Sequence, residues 1–169
     1  MQLCGIYLRH GTIFVVSDSF TSSGVGVSVG PMFKVETQTP RDVGEAVIAA
    51  LDASRGGILE PTPSDMQGVE TGLFRFTGAR NWTDLAGTTI YANATRNVSS
   101  RSVFSRMLSL MRRLAKQESA HETTVTVTPH KVGEGGAFVP EGPGISYSGL
   151  IVEDIGRGVL QALKADCGT

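Results

Sequence analysis

Arg9-His10-Gly11 is the first place where this chain could do covalent chemistry. In histidine phosphatases such a triplet follows the first strand, with the His as phosphoryl acceptor and the Arg holding the phosphate. That chemistry needs the triplet to enter a polar, phosphate-binding loop and then a helix. Here it enters "TIFVVS" at once, an apolar run with strand character. A hairpin turn is the better reading: Gly11 supplies a positive φ, and Ile6, Leu8, Ile13 and Val15 flank the turn in strand fashion. A small histidine-phosphatase-like hydrolase stands as the alternative.

Other chemical patterns are weaker. Gly24, Gly26 and Gly30 fall one position away from a dinucleotide fingerprint, but Pro31 and another strand follow where a helix N-terminus would have to receive the pyrophosphate. His121 and His130 lie nine apart across a strand with no third ligand nearby, and Cys4 and Cys167 stand at opposite ends of the chain. No catalytic set, cofactor or metal is therefore expected. From Arg96 to Lys116 there are six basic residues and no acid, a stretch that could serve an RNA-binding module. Only Tyr91 and Phe104 are near to stack on bases, so a solvated helix face is the simpler reading and nucleic acid is not expected. The acids Glu60, Asp65 and Glu70, followed by Trp82 and Asp84, have the chemistry of a protein-binding rim with an aromatic anchor.

These residues must be carried by one modest domain spanning 1–169. With 15 Lys+Arg against 16 Asp+Glu and 40% hydrophobic residues, the chain can bury a core and carries no field that demands nucleic acid or a bilayer. No apolar run nears the ~20 residues that cross a membrane, and the start lacks the pattern of a secretory signal, so the expected location is the cytoplasm.

The pattern along the chain alternates strands and helices. After the hairpin, Val25, Val27 and Val29 alternate as a strand that Pro31 ends. Thr39-Pro40 opens a helix of about 41–54 whose stripe is Val43, Ala46, Val47, Ala50 and Leu51. Residues 59–70, with Pro61 and Pro63, read as an exposed loop, and "GLFRFTG" as a short strand. Asn81 can cap a short helical turn. "TTIYANATR", "TTVTVTPHKV" and "ISYSGLI" read as strands, and 101–117 as a third, basic amphipathic helix.

The closing helix, about 153–165, copies the first: "DVGEAVIAALDA" at 42–53 recurs as "DIGRGVLQALKA" at 154–165, 112 positions on. The fold class that follows is α+β, a mainly antiparallel sheet with helices on one face. The two similar amphipathic helices serve as girders, and their small residues let them approach the sheet and each other.

Taken in order, "GIYLRHGTIFVVS", "SSGVGVSVGP", "VETQTPRDVGEAVIAALDASRGGI", "GARNWTDL", "TVTPHKVGEGGAFVP" and "EDIGRGVLQAL" resemble the immunity proteins of bacterial contact-dependent growth inhibition systems, the CdiI family. The basic helix 101–117 departs from that pattern. The resemblance implies a cytoplasmic, non-enzymatic protein. It would bind the cognate toxin domain, the CdiA C-terminal region, one to one and block its active site or substrate surface. Many such toxins are nucleases with basic clefts, which Glu60, Asp65 and Glu70 would suit as plugs.

Overall fold

The computed structural model describes residues 1–98, 123–133 and 137–164. The basic helix expected at 101–117 lies outside these residues. The described elements are β1 (Gln2–Arg9), β2 (Thr12–Thr21), β3 (Gly26–Val27), β4 (Met32–Val35), α1 (Pro40–Ala53), β5 (Gly56–Ile58), α2 (Pro63–Thr77), α3 (Trp82–Thr88), β6 (Thr89–Val98), β7 (Thr123–Val132), β8 (Phe138–Pro140), β9 (Ile145–Ser148) and α4 (Val152–Lys164). The sheet runs β3-β2-β1-β6-β7-β8, with β4 beside β2 and β9 beside β7. Every pairing is antiparallel except that of β5, which runs parallel to β2. The α+β class read from the sequence is the class found.

The copied helix is one part of a larger duplication. Ile13 pairs with Val35 across β2 and β4, and Val125 with Tyr147 across β7 and β9, each residue 112 positions beyond its counterpart. The same displacement takes the pair Ser19–Val27 of β2 and β3 to Lys131–Val139 of β7 and β8. In the first hairpin Leu3 opposes Asp18, and in the second Tyr91 opposes His130, so β1 maps onto β6 with a displacement of 88. The difference of 24 positions falls between Val98 and Thr123, where the first copy has only the turn His10-Gly11. Each copy thus contributes a hairpin, two short edge strands and a helix, and the copies meet where β1 pairs antiparallel with β6.

The core repeats in the same register. Cys4, Ile6, Ile13, Val15, Val43, Val47, Ala50 and Leu51 correspond to Ala92, Ala94, Val125, Val127, Ile155, Val159, Ala162 and Leu163, all buried in one cluster. Alternation along the strands and three- and four-residue spacing along the helices bring these side chains to a shared layer between α1, α4 and one sheet face. Where the helices cross, the contact is reciprocal: a Cβ at Gly44 would collide with the backbone of Val152, and a Cβ at Gly156 with the carbonyl of Pro40. Pro40 and Val152 are themselves counterparts, so only glycine admits this approach from either side.

Three expectations are corrected. Helices cover both sheet faces: α2 and α3 pack on the opposite face around Tyr7, Phe14, Val16, Leu73, Ala79 and Leu85. The loop 59–70 and the strand "GLFRFTG" are largely one helix, α2, because Thr62 caps it and Pro63 occupies its first turn. The Thr62 hydroxyl accepts from the Asp65 N–H while the Asp65 carboxylate accepts from the Thr62 N–H, a reciprocal box that starts the helix. Gly78, left-handed at φ 73, ends it. Lastly, of the alternating valines only Val27 joins a strand and is buried, whereas Val25 and Val29 are exposed.

Candidate functional site

The segment 56–88, comprising β5, α2 and α3, lies between the copies and has no counterpart in either. It carries all the acids proposed for contact together with Trp82. One buried arginine fastens it to the sheet. Arg9 donates from Nε to the Thr88 hydroxyl (2.9 Å), from one terminal nitrogen to the Thr77 carbonyl (2.9 Å) and from the other to Asp84 (3.0 Å). The end of β1, the last turn of α2 and the whole of α3 are thereby held at one guanidinium, whose planar fork suits three separate acceptors.

This arrangement answers the phosphatase-like reading of the triplet. Arg9 is 7% exposed with all three guanidinium nitrogens engaged, and His10 sits on an exposed turn at φ 49. Among the described residues, no three His, Cys, Asp or Glu side chains gather to hold a metal. His130 is buried, with its ring edge-on to Tyr91 at 5.1 Å, and burial lowers its pKa. Of the six basic residues from 96 to 116, Arg96 is buried and bonded to Asp52 (2.5 Å) and Gln2, so its charge is turned inward.

The proposed contact residues are spread along the connecting segment. Glu60 is exposed before α2 and accepts from the Ser23 N–H (3.1 Å); hydrogen bonds from Ser23 lower its pKa. Asp65 belongs to the capping box, and its bonds from Thr62 lower its pKa. Glu70 is half-buried on α2. Trp82 opens α3, 44% exposed, its ring edge-on to Phe74 at 5.2 Å. Asp84 faces inward, receiving Arg9, the Arg80 N–H and the Arg80 guanidinium; the Arg80 bonds are the main cause of its lowered pKa. Asp65 and Trp82 stand toward opposite ends of α2, which at ~1.5 Å per residue is roughly 20 Å long. The five residues therefore line a strip rather than converge on a point.

Sequence reasoning did not single out Asp18. It lies on β2, 7% exposed, on the face that α2 and α3 cover, and accepts from the Ser28 hydroxyl at 2.5 Å. Burial raises its pKa to about 6, against the opposing effect of the Ser28 bond. In the unfolded chain the carboxyl ionises near 3.8, so the folded state holds the extra proton between about 4 and 6 and loses stability as pH rises through that window. Asp18→Asn removes the titration. The variant is expected to match the wild type near pH 4 and to exceed it by about 3 kcal/mol at pH 7.5, read from urea unfolding at both values. An equal difference at the two pH values would refute this account.

No family model matches the sequence, and no curated protein matches it. Solved structures do match the fold. The protein of unknown function NMB0488 from Neisseria meningitidis aligns over 97% of this chain and 94% of its own, with a TM-score of 0.63 at 14% identity. A chain of the CdiA-CT/CdiI toxin and immunity complex from Yersinia pseudotuberculosis aligns over 96% of this chain and 95% of its own, with a TM-score of 0.65 at 13% identity. At these identities the likeness is one of fold.

Proposed function

We propose that this chain is an immunity protein that binds and neutralises the toxin domain of a contact-dependent growth inhibition effector. The supporting observation is the fold it shares, nearly end to end, with a chain of a toxin and immunity complex. It acts in the cytoplasm, one to one with the toxin, by covering the active site or substrate surface rather than by turnover. A rigid duplicated scaffold with an unduplicated segment at 56–88 suits that role, since specificity for a single toxin can vary on its exposed face without disturbing the core shared by α1 and α4. For a nuclease toxin with a basic cleft, Glu60 and Glu70 supply steering charge and Trp82 the aromatic anchor. Asp65 and Asp84 act one step back, by holding α2 and α3 in place.

The test is co-expression with the C-terminal domain of a large effector encoded beside this gene. The expected result is capture of that domain and rescue of growth in cells producing it. Glu70→Lys together with Trp82→Ala is expected to weaken the complex by roughly 100-fold, measured by calorimetry, while Trp82→Ala also removes the ring's packing on Phe74 from the free protein. Asp65→Lys is the poorer probe because it also disrupts the cap of α2, worth about 1 kcal/mol. Failure to capture or rescue against the neighbouring toxin domain would sink the proposal.

A further inference from the structure

The sheet holds α2 along only part of its length. Its buried residues, Leu73 and Thr77, both lie in its last two turns. There Phe74 and Phe76 also pack on the cluster of Tyr7, Phe14 and Leu85, and Arg9 binds the Thr77 carbonyl. The first part, 63–70, contains no buried residue: Met66, Val69 and Glu70 are half-buried, and neither Met66 nor Val69 joins a core cluster of the described residues. Its ties are its own capping box and the Ser23 N–H that Glu60 accepts just before it. Most helix stability in a protein comes from packing a face, and a helix as short as this part is marginal by itself. Gly68 and Gly72 weaken it further. A Cβ added at either would meet nothing within 4 Å, so no neighbour requires glycine there, in contrast to Gly44 and Gly156. What each does instead is make the helix up to roughly fivefold less favourable than alanine would.

We infer that residues 63–70 form an arm that unwinds and re-forms about Gly68 and Gly72 while 73–77 stay fixed to the sheet, and that the partner protein holds the arm closed. The arm carries Glu70 and follows Glu60, so a partner that contacts both finds them in fixed places only when the arm is helical. This inference rests on the immunity reading in identifying that partner as the toxin. The arm itself is independent of it.

The test is amide hydrogen exchange of the intact protein, resolved residue by residue. Relative to unstructured peptide, the amides of 67–70, whose helical acceptors lie in the arm, are expected to exchange at least about 100-fold faster than those of 74–77. Gly68→Ala together with Gly72→Ala is expected to slow exchange at 67–70 by roughly tenfold. Equal protection along the whole of α2, or arm exchange untouched by the two alanines, overturns the arm. Saturation with the toxin domain is expected to slow exchange at 67–70 by about tenfold or more, because binding to the closed arm alone opposes its opening. A toxin that binds and leaves that exchange unchanged overturns the arm as a contact. If no toxin domain binds, the immunity reading fails, and the exchange contrast within the free protein still decides whether the arm exists.

Discussion

Gly156→Ala is expected to lower the unfolding free energy by roughly 3 kcal/mol or more, a large part of the 5–15 kcal/mol that holds a domain together. Helix propensity alone predicts the opposite, a gain of up to ~1 kcal/mol for removing glycine from a helix interior. The sign is decided by the neighbour. At Gly156 the new methyl meets the Pro40 carbonyl, backbone of the other helix, which cannot swing aside as a side chain could. Relief requires α1 and α4 to separate and Val43, Val47, Ile155 and Val159 to lose packing. Gly44→Ala meets the Val152 backbone and is expected to cost a similar amount. Gly68→Ala on α2 is the control, since nothing lies within 4 Å of its added carbon. There a gain of ~0.5–1 kcal/mol is expected. Urea unfolding of the three variants measures all of this, and a stable Gly156→Ala protein would disprove the close reciprocal crossing.

Arg9→Met carries the second large effect. The methionine keeps much of the volume but removes three donors, leaving the buried Thr77 carbonyl and the Asp84 carboxylate without them. Losing three buried donors at once, with Asp84 left to the Arg80 N–H and guanidinium, is expected to cost about 3 kcal/mol. Arg9→Lys is expected to recover only part of it, because a single ammonium cannot reach acceptors on β6's approach, α2 and α3 at once. The loss is expected to be localised. Amide exchange should quicken across α2 and α3 more than across α1 and α4, whose core cluster Arg9 does not enter. A phosphate-binding Arg9 predicts the reverse, an unaltered fold with a lost activity, so the stability and exchange measurements separate the two roles.

What the sequence determined was what repeats within a few residues. Period-two and period-four patterns placed the hairpin, β6, β7, α1 and α4, and the copied helix announced the duplication at its correct displacement. The capping signal of α2 is equally local: Thr62, Pro63 and Asp65 are a helix start, masked because two prolines in a polar stretch carry the pattern of a loop. The remaining strands of the duplication could not be recognised from their residues. Phe14 and Val16 correspond to Thr126 and Thr128, and Asp18 to His130, so only hydrogen-bond register reveals that they are counterparts. Likewise Arg9 and Asp84, 75 positions apart, carry no pattern that links them. Nor does any local pattern show that Asp18 is buried or that α2 and α3 cover the second face. Local order follows from backbone geometry and side-chain spacing, which neighbouring residues alone define. Burial, pairing and free space are set by residues that meet only once the sheet has brought its two halves together, and so the tertiary structure alone decided them.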